Sequence, residues 1–134
     1  MREILFRGKS TDFGDWLSGY IRQYENRKIT ICDFETKRLW FVDPSTVGQF
    51  TGLTDKNGKN IFEGDIVVCR KEIAGNFIDY CVEIGFVEMN HGAFGLHRKQ
   101  GYYRPFKDWL EDYEYEVIGN IHDTPELLGG GNDG

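Results

Sequence analysis

The chain has 134 residues with a formal charge of −6, 40% hydrophobic and 15% aromatic content; that suits one folded domain and excludes disorder throughout. The acidic excess lies in the second half: residues 1–68 carry ten Lys+Arg against ten Asp+Glu, residues 69–134 six against twelve. A surface with that balance disfavours general coating of phosphate backbones or anionic membranes.

Residues 2–7 read as an opening strand, followed by a turn-rich loop, GKSTDFGD. Residues 13–24 place Phe13, Trp16, Leu17, Tyr20, Ile21 and Tyr24 at helical spacing. Gly14, Gly19 and the aromatic content nevertheless favour a strand there. Residues 28–34 and 38–42 predict a hairpin around Glu35–Lys37. Asp55-Lys56-Asn57-Gly58-Lys59 is the clearest turn, and Asn-Gly predicts a type I′ geometry with both residues at positive φ. Residues 61–62 and 65–69 continue as strand, with Gly64 as a bulge or bend.

Residues 78–88 alternate most strictly: Ile78, Tyr80, Val82, Ile84 and Phe86 against Asp79, Cys81, Glu83 and Gly85. The pattern predicts a strand with the first set on the core. Asn90-His91-Gly92 is a turn, and residues 93–98 pair back. Pro105 at a first helical position, with Phe106, Trp109, Leu110 and Tyr113 behind it, predicts a short helix over 105–113. Residues 115–121 return to strand, Pro125 opens a last turn, and residues 129–134 form a flexible Gly-rich tail. The predicted fold is mainly β: one small antiparallel, barrel-like domain over 1–128 with one helix. The alternative is two β lobes meeting near Asn57-Gly58, one with an SH3-like element.

Cys32, Cys69 and Cys81 are odd in number and show no CxxC spacing, as expected of reduced thiols in an intracellular protein. The opening MREILFRGKS has too short an apolar run for a signal peptide, and no stretch reaches the roughly 20 apolar residues of a membrane span. The expected location is the cytoplasm.

Catalytic chemistry finds little support. His91, His97 and His122 lack the tight spacing of a zinc site, and the Asp55 turn fails the register of a calcium loop. No nucleophile motif or phosphate-cradling loop occurs, so neither metal nor cofactor is expected. Glu63 and Asp65 share a strand face, the spacing of an acid/base pair. Their simpler role is a polar turn with Asp65 bonding nearby amides. Asp112, Glu114 and Glu116 read as a solvated acidic face. Residues 97–107 interleave cations with aromatics, the composition of a single-strand nucleic-acid platform. Arg98, Lys99, Tyr102, Tyr103 and Arg104 are its candidate contacts, for nucleic acid or for a protein partner.

Three segments resemble the YopX-like proteins of bacteriophages and prophages: Arg2-Glu3-Ile4-x-Phe6-Arg7, the run Thr51–Val68 (TGLTDKNGKNIFEGDIVV), and Glu116–Ile121 with Pro125–Leu128. The resemblance spans nearly the whole chain and matches residues 70–112 only loosely. It implies a small, mostly β protein of phage or prophage origin in a bacterial cytoplasm, with no assigned activity. It also gives Gly52, Gly58, Gly64 and Gly119 a structural reading, as turn, bulge or close-approach positions. The expected function is an accessory protein that binds a protein partner or self-associates. The alternative is a nucleic-acid-binding module using residues 97–107, and an enzyme at Glu63/Asp65 is the least supported reading.

Overall fold

The computed structural model describes residues 5–73, 76–77, 83–90, 92–99, 103–106 and 113–129. Twelve strands occupy most of them: β1 Phe6–Lys9, β2 Trp16–Gln23, β3 Ile29–Asp33, β4 Leu39–Val42, β5 Gly48–Thr54, β6 Asn60–Phe62, β7 Asp65–Ile73, β8 Asn76–Phe77, β9 Glu83–Asn90, β10 Ala93–Arg98, β11 Tyr103–Pro105 and β12 Tyr113–Asn120. One antiparallel sheet has the order β4-β3-β2-β1-β5-β6. The other runs β11-β10-β9-β7-β12, with β8 paired to β7. Among the described residues the only helical pieces are 3-10 turns, including Pro44–Thr46 and Pro125–Leu128, and no barrel closes. By compactness the chain divides into two units, Met1–Gly52 and Leu53–Gly134.

The first unit is built from hairpins. Trp16–Gln23 is strand, as its glycines and aromatics favour, and a Cβ built on Gly19 would fall 1.8 Å from the Cys32 carbonyl oxygen. No side chain fits at that point of the β2–β3 pair. The opening strand lies further along than expected, at Phe6–Lys9, because Arg7, Gly8 and Lys9 pair with Ser18, Leu17 and Trp16. Residues 1–4 lie outside the described set. Ser10 forms an isolated bridge to Val42, and Asp43 N–H donates to the Lys9 carbonyl at 2.9 Å. The outer edge of β4 thus curls back toward the end of β1. Inside the curl Ile31 and Val42 are buried, and a Cβ built on Gly8 would fall 3.1 Å from the Val42 side chain.

The second unit packs Ile61, Val67, Cys69, Val87, Leu96, Phe106 and Tyr115 into one core. Residues 83–90 are strand, but the phase differs from expectation. Gly85 and Val87 face this core, while Ile84 and Phe86 lie half-buried on the opposite face. The physical reason lies in β7, where Ile66 and Val67 are both fully buried. A sheet covered on both faces takes apolar residues on either side, so alternation alone does not choose the core side. Residues 78–82 of the expected strand lie outside the described residues.

Two further expectations are corrected. Asn57 does not adopt positive φ; only Gly58 of that pair does, at +81°. Asp55 N–H donates to the Lys59 carbonyl and Gly58 N–H to the Asp55 carbonyl, a longer loop than the two-residue type I′ turn. The helix does not have the bounds 105–113: Pro105 ends β11, paired with Gly95, Phe106 after it is in a 3-10 turn, and Tyr113 opens β12 against Lys71. A proline is tolerated at a strand end, where its missing N–H breaks no interior ladder. Residues 107–112 lie outside the described set.

Candidate functional site

The first unit carries a cluster of exposed large apolar side chains. In an antiparallel sheet opposed residues share a face, and the register pairs Tyr20 with Cys32 and Leu39, and Arg22 with Thr30 and Phe41. These side chains form the outer face of the curl. Tyr20, Leu39 and Phe41 are about half exposed (54%, 55% and 48%). Tyr24 stands 6.2 Å from Phe41 between ring centroids, and Phe34 meets Tyr20 edge-on at 5.1 Å. Cations lie over the rings: Arg22 over Tyr24 at 5.6 Å and Lys28 over Phe41 at 5.5 Å. Such contacts let the aliphatic stems cover part of the rings while the charged heads stay in water.

At the end of the curl lies a groove of 630 Å³ in the same unit, lined by Phe13, Trp16, Trp40, Asp15, Asp33 and Glu35 among others. Two loops build it. Ser10 organises the first: its Oγ accepts from the N–H groups of Asp12 and Phe13, both at 3.1 Å, and its carbonyl accepts from Gly14 at 2.9 Å. Phe13 is thereby held edge-on to Trp40, centroids 5.6 Å apart, yet stays 67% exposed. Asp33 organises the second, its Oδ2 accepting from the Thr36 N–H and hydroxyl at 2.9 Å each. That turn puts Glu35 at its tip and Lys37 at φ +63°.

The expected contact residues of the second unit stand elsewhere. Arg98 donates to Glu83 at 2.9 Å, and His97 stacks on Phe86 at 5.0 Å while meeting Glu88 at 3.1 Å. Phe86, His97, Arg98, Lys99 and Leu128 line a hollow of 220 Å³. The Tyr103 hydroxyl donates to the Ala93 carbonyl and also reaches that of Asn90. Arg104 is half-buried on β11, opposite Leu96. Tyr102 lies outside the described residues.

Asp65 is buried and its Oδ2 accepts from the Phe62 N–H at 2.8 Å, across the turn that Glu63 and Gly64 form. Gly64 takes φ +93° there and Gly52 +90°. At Gly119, beside a register shift in β12, a Cβ would fall 2.2 Å from Thr124 Oγ1. Glu114 and Glu116 flank Lys56 at 3.3 and 3.5 Å, with Arg70 at 3.2 Å from Glu116; Asp112 is not described. Burial, with Glu83 nearby, pushes the Cys69 thiol up to about 12, so it stays protonated. Cys32 is half-buried, and Cys81 and His91 lie outside the described residues. Among the described residues no three His, Cys, Asp or Glu side chains are placed to hold a metal ion. No helix among them is long and apolar enough to cross a membrane.

Asp55 is the organising residue that composition and spacing did not single out. Its Oδ1 accepts from the Asn57 and Lys59 N–H groups and its Oδ2 from Val117 N–H, all at 2.9 Å. Burial alone would raise the carboxyl. The three backbone bonds, together with the Lys59 charge, outweigh it and hold the group below its usual 3.8. The local signal was present in Asp-x-Asn-Gly, an Asx-turn sequence; the bond to Val117, 62 positions away, had none.

Comparison with curated proteins gives no match. Among solved structures the chain is similar to protein EF1440 from Enterococcus faecalis. Identity is 25%, with 96% of this chain and 99% of that one covered, and the TM-score is 0.55. The family model described as YopX protein matches residues 6–129, nearly the whole length. The chain therefore belongs to the YopX family.

Proposed function

We propose that this chain is an accessory factor of phage or prophage origin that works in a bacterial cytoplasm by binding another protein. The binding surface is the outer face of β2–β4. The observation that carries the proposal is the cluster Tyr20, Tyr24, Leu39 and Phe41, large apolar side chains left exposed together on one sheet face. Folding gains nothing from leaving them in water, whereas Tyr, Phe and flanking Arg are the residues that anchor protein interfaces. A second copy of the chain would satisfy the same surface.

The test is affinity capture of the tagged chain from host cells, with sedimentation velocity of the purified chain alongside. Wild type is compared with a Tyr20→Ser/Phe41→Ser double variant. The proposal expects a co-purifying protein, or a concentration-dependent dimer, that the variant loses. Recovery of bait alone from wild type, together with a monomer at every concentration, refutes it.

One observation favours a second reading, contact with single-stranded nucleic acid on this same face: Arg22 and Lys28 interleave with Tyr24 and Phe41. Fluorescence anisotropy across a salt series discriminates, because phosphate contact weakens steeply as salt rises.

A further inference from the structure

The groove at the end of the first unit combines two features that together specify a ligand chemistry. Its aromatic walls are Phe13, Trp16 and Trp40, and the carboxylates of Asp15, Asp33 and Glu35 share the same lining. We infer that this groove receives an arginine or lysine side chain from a protein partner, its cationic head among the carboxylates and its aliphatic stem along the rings. The inference rests on the protein-binding reading above and names the chemistry of one anchor.

Charge complementarity selects the occupant. No Lys or Arg is found among the described residues lining the groove. Asp33 commits one oxygen to its turn, leaving Oδ1 uncommitted there, and the exposed Asp15 and Glu35 are in no ion pair among the described residues. These acids are not gathered tightly enough to hold a metal ion. Negative charge spread over an aromatic cleft suits an organic cation instead.

The rings add to this. Trp16 is already engaged by Arg7 at 4.6 Å and Lys9 at 5.6 Å, so the unit itself holds cations over an indole. Trp40 lines the same groove, in a T-shaped pair with Phe13 at 5.6 Å, and so sets a second indole beside the carboxylates. Tryptophan is the strongest cation–π acceptor among the side chains. A volume of 630 Å³ accommodates a side chain of that length, being within the roughly 300–1,000 Å³ of small-ligand sites.

The test uses the full-length chain and follows the indole N–H signals of Trp16 and Trp40 by NMR. The probes are N-acetyl-arginine amide and its uncharged counterpart N-acetyl-norleucine amide. Expected is a saturable shift of the Trp40 signal with the arginine probe, at least tenfold weaker with norleucine. The weakening should be equally large in an Asp15→Asn/Glu35→Gln double variant whose amide spectrum stays native. Followed on the Trp16 signal, Trp40→Leu should abolish the response and Trp40→Phe should retain part of it.

No saturable shift, equal affinity for norleucine, or unchanged affinity in the charge-neutralised variant overturns the inference. Partner capture that depends on Tyr20 and Phe41 but not on Asp15 and Glu35 overturns it too, while leaving the protein-binding reading intact. Saturable arginine binding that the double variant loses supports the groove even if capture returns the bait alone.

Discussion

Removing the Asp55 carboxylate should destabilise the protein well beyond the average surface substitution. In Asp55→Ala three backbone N–H groups lose their acceptor at once. Asn57 and Lys59 are exposed, so water replaces the carboxylate there at a net loss of about 0.5–1.5 kcal/mol each. Val117 is half-buried, and its N–H left unmet costs about 1–3 kcal/mol. Allowing for non-additivity within one turn, the expected loss is about 2–4 kcal/mol. Urea unfolding measures it, as a lower midpoint at unchanged m-value. Asp55→Asn keeps an acceptor for the turn but turns an amide toward Val117, and should lose about half as much. The carboxyl sits below its usual 3.8, so the native state binds fewer protons than the unfolded chain. Its contribution is therefore complete above that value and disappears as pH falls through the lower, folded-state value. Wild type should lose stability more steeply than Asp55→Ala in that acid window. An Ala variant within about 1 kcal/mol of wild type, with a parallel acid profile, would refute the assignment.

Other substitutions report on packing and burial. Gly19→Ala forces a methyl onto the Cys32 carbonyl and should cost about 3 kcal/mol or more, seen as a large fall in melting temperature; an unchanged melt would contradict the close approach. The buried Tyr115 hydroxyl has no hydrogen-bond partner among the described residues, so Tyr115→Phe should be neutral or stabilising by up to about 1 kcal/mol, and a clear loss of stability in urea would show that the hydroxyl is bonded. The Cys69 thiol titrates near 12 in the folded chain against an ordinary 9.0, so it contributes to stability fully below pH 9 and loses that contribution as pH rises toward 12. Cys69→Ala should flatten the alkaline decline relative to wild type, and identical slopes would count against a buried, protonated thiol.

Local chemistry explains why much of this fold could be read in advance. Residues 28–42 are β-branched and aromatic on both sides of a polar turn, and they form the β3–β4 hairpin. Residues 93–98 follow a Gly-containing turn and pair back on β9 at the expected positions. Gly14 and Gly19 outweighed the helical spacing of residues 13–24, for the steric reason that Gly19 now displays. In each case the deciding interactions are between near neighbours or within one hairpin, so composition and order carry them.

The parts that were not legible depend on what lies across a face or far along the chain. Pro105 carries a helix-start signal, but its fate was decided by Gly95 on the neighbouring strand. The core side of β9 could not be chosen from alternation, because Ile66 and Val67 are both fully buried and apolar residues serve either face of that sheet. The groove draws Phe13, Asp15, Asp33, Glu35 and Trp40 from two loops and two strands, so no single window of residues contains it. Sequence alone determined a mainly β chain of the YopX family with hairpins at these places, since pairing within a hairpin is a short-range choice. Tertiary structure alone decided which faces are buried, which carboxylate ties β12 to its turn, and which aromatics meet acids in one cleft, since those depend on residues brought together only by folding.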